Sequence, residues 1–330
     1  MPAHGYLLPT RGVVFSADGP TTLTARVQAD VVGLARRAES LGFSGVWVGD
    51  SVLAKPRLDP LTTLAAVATE TAAVRLGTAV YLPLLRHPVT VAHMTATLDL
   101  LSGGRFAMGV GVGVRPTERE EQEQLGVPFD RRGAMLDESL KLIKQLWTGT
   151  SVDFTGEFFN LSTADLGFGP AGHPPVFLAS AAFDPADGFP ARIRDRLAEH
   201  GDGWLPIAVD PESYATGLQH AKTALESSGR DPESLEPAYY QDVVIAETEE
   251  AALEQAREFL LNYYPPEELT YLPEGAFDDD QIRRRGVFGP PERVEAHLER
   301  YRSAGVETFV TRFPATNQRE QLARYSTLMG

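Results

Sequence analysis

Three glycines alternate with valine in Gly109-Val-Gly-Val-Gly113. Glycines at the end of a strand let a flat ring or a phosphate lie against the backbone, since no Cβ stands in the way. Tight packing of strand on helix accounts for the same spacing equally well. A dinucleotide fingerprint requires another glycine three residues after the second. Val114 stands there, and the Arg-Pro-Thr-Glu-Arg that follows is not an apolar helix start, so a nicotinamide Rossmann site is not expected. The chain also lacks a Walker A loop, a Gly-x-Ser-x-Gly elbow and a His-Glu-x-x-His pair, and its seven histidines are dispersed. Without cysteine there is no disulfide, thiolate metal ligand or Cys nucleophile, and no metal site is expected. Arg86, His87, Arg115 and Arg119 are basic groups suited to a phosphate or an acidic tail. The competing reading of Arg86 is a salt bridge fixing the loop before Pro88, and that of Arg115 and Arg119 is local ion pairing. His93 reads as structural.

The elements that would carry these residues alternate in type. Val27, Val31, Leu34, Ala38 and Leu41 recur at helical spacing, and Gly42 follows as a stop. Residues 11–16, 45–50, 75–82 and 105–114 read as strands. Asp59-Pro60 opens a helix between two of them, and helices follow over 88–101 and 131–147. The rhythm continues with strands at 175–180, 202–206, 239–246 and 308–312. Helices at 214–228, 249–263 and 293–304 and a terminal segment at 318–329 complete it. Eight strand–helix units in one domain, 1–330, predict a (β/α)₈ TIM barrel. Two stretches break the rhythm, about 149–174 and 265–285, and read as insertions after the fourth helix and before the last strand.

Composition narrows the class. Hydrophobic residues make up 43% of the 330 and charged residues 23%, enough for a large core. The net charge of −15 argues against a nucleic-acid partner. Eleven acidic residues stand against Arg257 alone within 247–280, so the rest is only mildly acidic and leaves room for a basic pocket. No apolar stretch reaches the roughly 18 residues of a membrane span, and the first ten residues have no basic start followed by an apolar run. A soluble, cytoplasmic protein with no membrane partner is expected.

Ala38-Glu-Ser-Leu-Gly-Phe-Ser-Gly-Val-Trp-Val-Gly-Asp50 resembles the second-strand signature of the bacterial luciferase-like flavin and deazaflavin oxidoreductases. Leu76-Gly-Thr-Ala-Val80, Arg86-His-Pro88, Thr97-Leu-Asp-Leu-Leu-Ser-Gly-Gly-Arg105 and Met108-Gly-Val-Gly-Val-Gly113 are similar to further segments of that family. So are Leu146-Trp-Thr-Gly149, Gly201-Asp-Gly-Trp204, Gly289-Pro-Pro-Glu-Arg-Val294 and Ala304-Gly-Val306. The series keeps the family's order over almost the whole chain. It implies a luciferase-like barrel binding F420 or FMN at the C-terminal strand ends, a small-molecule substrate and a homodimer.

The same resemblance implies roles. Ala79 and Val80 match the place where family members often hold a non-prolyl cis peptide behind the cofactor ring. Gly111, Val112 and Gly113 match the segment beside the ring, and Ala179, Ser180 and Ala181 the strand end that receives the cofactor tail. Asp50 and Ser51 match the second-strand end facing ring or substrate, and Ser16 is a further pocket candidate. The deazaflavin-dependent sugar-phosphate dehydrogenases carry a histidine and a glutamate where this chain has Ser51 and Val114, so sugar-phosphate oxidation is not expected. Ser51 and Tyr81 are then the candidate proton donors, with water as the other source. Arg75-Leu-Gly-Thr, Leu98-Asp-Leu-Leu-Ser and residues 131–149 look closer to the F420 branch. The implied reaction is hydride transfer between F420 and an unsaturated or imine-type substrate. FMN-dependent monooxygenation is the alternative, and a barrel that binds cofactor or partner without chemistry is the second alternative.

Overall fold

The computed structural model describes residues 2–11, 26–54, 57–113, 116–263 and 278–330. Ser16, Val114, Arg115, the side chain of Val27 and the stretch 264–277 lie outside them. The first half runs β1 (Ala3–Leu7), α1 (Arg26–Ser40), β2 (Gly45–Val48), α2 (Pro60–Glu70), β3 (Arg75–Thr78), α3 (Pro88–Ser102) and β4 (Phe106–Val110). There follow α4 (Pro116–Gln124), α5 (Arg132–Leu146), β5 (Val152–Thr155), β6 (Asn160–Ala164), β7 (Val176–Leu178), α6 (Ala191–His200) and β8 (Gly203–Trp204). The chain continues through α7 (Pro211–Ser227), β9 (Glu236–Ile245), α8 (Glu249–Tyr263) and α9 (Asp279–Arg283). It closes with β10 (Gly286–Gly289), α10 (Pro291–Ser303), β11 (Thr308–Arg312) and α11 (Gln318–Ser326).

Strands pair in the order β10-β9-β11-β1-β2-β3-β4-β7-β8, and β8 also pairs with β9. That second pairing closes eight parallel strands into a barrel, with β10 lying on the far half of β9. The predicted TIM barrel is therefore present. The excursion at 149–174 holds the antiparallel hairpin β5–β6, and α9 lies in the second one.

Of the strand expected at 11–16, Arg11 makes an isolated antiparallel bridge with Arg57, and residues 12–16 lie outside the described residues. The first barrel strand is Ala3–Leu7. Its sequence, Ala-His-Gly-Tyr-Leu, lacks the apolar run expected of a buried strand for two local reasons. His4 is buried behind the sheet, stacked on Phe309. Gly5 must be small because a Cβ there would run into the Trp47 indole.

The barrel interior generalises the second reason. Leu7, Trp47, Ala107, Phe177, Leu205, Ala238 and Val310 form a cluster of their own. Two aromatics supply most of its volume, with Trp47 set edge-on to Phe177 at 5.6 Å. Gly77 also faces Trp47, and a Cβ at that position would overlap the indole. Gly77→Ala is expected to destabilise by about 1–3 kcal/mol through overpacking. The urea midpoint reads this, and adding Trp47→Phe should recover part of the loss; an unchanged midpoint for Gly77→Ala rules the packing argument out.

Outside the barrel, helix signals hold. Asp59 caps α2 by accepting from the Thr62 amide at 2.9 Å, and Val31, Leu34 and Ala38 bury the inner face of α1. Two loops are tied by glutamates. Glu39 Oε1 accepts from the successive amides of Ala72, Ala73 and Val74. Glu138 accepts likewise from Glu157, Phe158 and Phe159. Among the described residues, no helix is long and apolar enough to cross a membrane.

Candidate functional site

The C-terminal strand ends bring most of the expected residues to one mouth. β3 runs on into Ala79-Val80-Tyr81, and the Ala79–Val80 peptide bond is cis. Beyond it the two strands stay paired: the Tyr81 amide donates to Gly109 O at 2.7 Å, and the Gly111 amide donates to Tyr81 O at 3.1 Å. A Cβ on Gly111 would stand 2.8 Å from Val80 Cγ2, so glycine lets these segments touch. Gly113 takes the left-handed conformation at φ 67°. The Val112 and Gly113 carbonyls accept from Gln122 and Arg132. On the next strand the Ala179 amide donates to Val110 O, while Ser180 Oγ accepts from the Ala182 amide and its carbonyl from the Trp204 indole. Ala179 and Ser180 are half-buried and Ala181 is exposed. Between β3, β4 and β7 the surface is thus backbone, methyl groups, the valines Val80 and Val112 and the Ser180 hydroxyl. Its low relief fits a planar ring, while Ala181 leaves the β7 end open for a polar tail.

Asp50 does not offer its carboxylate to this face. Arg86 donates to both its oxygens, at 2.6 and 3.1 Å, and the Leu82 amide adds a third bond at 3.0 Å. Arg86 also reaches Asp59 at 2.9 Å. Burial raises the pKa of Asp50 against the pull of Arg86. The salt-bridge reading of Arg86 is the one found, and Asp50 ties the β2 end to the chain after the cis bond. Arg119 pairs with Glu123 on its own helix. His87 accepts from the Val89 amide at the start of α3, and His93 packs edge-on to Phe168.

The two expected proton donors are both withdrawn from the mouth. Tyr81 is fully buried with Arg86 over its ring, its hydroxyl meets no hydrogen-bond partner, and burial drives its pKa upward. Ser51 is buried and donates its hydroxyl to Glu121 Oε1 at 3.2 Å. The same oxygen accepts from the amides of Val52, Leu53 and Ala54, at 2.5, 2.5 and 3.1 Å. Glu121 lies on α4, a helix so polar (Pro-Thr-Glu-Arg-Glu-Glu-Gln-Glu-Gln) that apolar periodicity does not reveal it. No sequence signal marked this glutamate among its neighbours.

A second group was also missed. Arg312 ends β11 and lies in register with Asp242 on β9. Arg312 donates to Asp242 at 2.7 and 2.5 Å, and Arg285 adds a bond at 2.9 Å. Burial raises the Asp242 pKa, but the two guanidinium groups outweigh it and hold the carboxyl below its usual range. Arg57, in the β2–α2 loop, donates to the Tyr263 hydroxyl at 3.0 Å. These residues lie far apart in sequence, and only strand register brings them together.

Comparison with known proteins agrees with this geometry. The profile of the family described as luciferase-like monooxygenase matches residues 10–308. An F420-dependent glucose-6-phosphate dehydrogenase of Amycolatopsis mediterranei is 29% identical over 90% of this chain and 92% of its own. An F420-dependent hydroxymycolic acid dehydrogenase of Mycobacterium tuberculosis is 33% identical over 62% of this chain, and the match spans 56% of that relative. An F420-dependent secondary alcohol dehydrogenase, solved with an F420–acetone adduct, superposes with a TM-score of 0.81. It is 21% identical, over 99% of this chain and 98% of that one, and shares the fold. The chain belongs to the luciferase-like monooxygenase family.

Proposed function

We propose that the protein is an oxidoreductase that uses F420 to pass a hydride to or from an unsaturated or imine-type small molecule. The observation that carries this reading is the flat backbone face at the ends of β3, β4 and β7, in a chain whose long-coverage relatives include enzymes named for F420. Bound there, F420 supplies a carbon that carries hydride and reacts poorly with oxygen. Ala79, Val80 and Gly111 back the ring, Val112 and Gly113 border it, and the backbone of Ala179, Ser180 and Ala181 receives the tail. Asp50 and Arg86 hold the chain after Val80 in place. Ser51 donates its hydroxyl to Glu121 and Tyr81 is buried, so water delivers the proton the substrate needs.

Titrating the protein separately with F420 and FMN, followed by fluorescence, tests the reading. F420 should bind below about 100 µM, and Gly111→Val, which forces Val80 toward the ring, should weaken it by about tenfold or more with the circular dichroism unchanged. If neither cofactor binds, the proposal fails. Tight FMN binding without F420 binding moves the reaction to oxygenation.

A further inference from the structure

We propose that Arg57 anchors a carboxylate-binding subsite at the barrel mouth, so that the substrate is an organic acid with an apolar body. This deepens the F420-dependent reading and rests on it.

Arg57 lies across the end of β2, where a Cβ on Gly49 would run into its guanidinium. One nitrogen, Nη2, donates to Tyr263, but Nε is buried and donates to nothing among the described residues. Among the described residues no carboxylate pairs with Arg57. Asp50 is within electrostatic reach of it, yet both Asp50 oxygens are committed to Arg86. A buried N–H left idle is unfavourable unless an acceptor completes its bonding, and Arg57 is half-buried with its Nε in that state. Its planar fork matches a carboxylate edge.

The surroundings narrow the ligand. Arg11 and Arg312, the latter paired with Asp242, place their guanidinium carbons 4.1 and 5.0 Å from the centre of the Tyr263 ring. Arg57, Gly49, Tyr263, Arg312 and Gln318 border a cavity of about 20 Å³. That is room for about one water or one small polar group. One oxygen of a planar carboxylate can enter such a space with the rest of the group outside, and it intrudes less than a bulkier tetrahedral phosphate. Leu7, Leu8, Phe259 and Phe313 border the same cavity and give the remainder of the acid an apolar surface.

The test uses cofactor-free protein and hexanoate as the probe, followed by calorimetry. Hexanoate should bind saturably, while hexanol and inorganic phosphate at equal concentration should neither bind nor compete. Arg57→Gln should weaken hexanoate by about tenfold or more, at an unfolding midpoint close to wild type. Should that variant not fold, Arg57→Lys keeps the charge without the fork and is expected to weaken binding several-fold. The proposal is overturned if hexanoate does not bind, if it binds the folded Arg57 variant as well as wild type, or if phosphate displaces it. Because no cofactor is present, the result is independent of the F420 titration. Arg57-dependent hexanoate binding without F420 binding upholds the subsite and removes the hydride-transfer reading.

Discussion

Asp242→Asn is expected to destabilise the protein by about 3–5 kcal/mol, the penalty for removing one member of a buried ion pair. Asp242 has no exposed side-chain surface and Arg312 very little, so the arginine left behind could not recover its hydration without opening β9 from β11. Arg285, which leans on the same carboxylate, would lose that bond too. The amide of asparagine presents one acceptor oxygen where two now serve. Urea unfolding measures the loss, and a decrease under about 1 kcal/mol would sink the argument. Replacing both groups with apolar residues, Asp242→Leu with Arg312→Met, should recover part of the stability, because it removes the more deeply buried charge while Arg285 still forgoes its bond to Asp242. The pH sense follows from the depressed carboxyl pKa. The pair's stabilisation is complete above the unfolded carboxyl value, about 3.9, and disappears as pH falls through the lower folded value.

Acid should weaken the fold well before that pair titrates. His4, His200 and His297 are held at pKa values of about 4, first by burial and then by neighbouring cations. A polar chain behind β9, β11 and β1 assigns protons to two of them. His297 Nε2 donates to Gln241 Oε1 at 3.0 Å. The Gln241 amide and Thr311 both donate to the Tyr325 hydroxyl, which leaves its own proton for His4 Nδ1 at 3.0 Å. His4 therefore carries its proton on Nε2, which is buried and donates to nothing. A second proton on His4 would break the Tyr325 bond.

Unfolded histidine takes up its proton near pH 6.5, so the unfolded state gains protons first as pH falls. Stability should decline between pH 6.5 and about 4 and level off below, by up to about 3 kcal/mol per histidine. Most carboxylates remain ionised down to pH 5, so relief of the net negative charge offsets little of this in the upper part of the window. Thermal midpoints at pH 7 and pH 5 test it, and equal values would refute it. His297→Gln, which keeps a donor toward Gln241, should flatten the slope.

The sequence was most informative where one residue type can serve only one local purpose. Asp59-Pro60 opens a helix whatever surrounds it, and the face of α1 follows from spacing alone. Reading failed where a neighbour from another strand dictates the residue. β1 looks like a loop because Trp47 requires glycine at position 5 and Phe309 and Tyr325 accommodate histidine at position 4. α4 carries no apolar stripe. At the mouth, Asp50 was legible as a strand-end residue but its partner was not, since Arg57 stands only 7 residues away and the partner found, Arg86, stands 36 away. The Asp242–Arg312 pair spans 70 residues and depends on the barrel's register. Nothing in either segment announces the other.

Glu121, like Glu39 and Glu138, grips a loop through three consecutive amides. Apart from the Ser51 hydroxyl, Glu121 reads the backbone of this segment, so side-chain identity at 52 to 54 is uncoupled from the grip. Positions 52 to 54 can be replaced freely, with proline the one residue barred for want of an N–H. Selection, or a library built at these positions, can then remodel the rim of the mouth while the barrel beneath keeps its architecture.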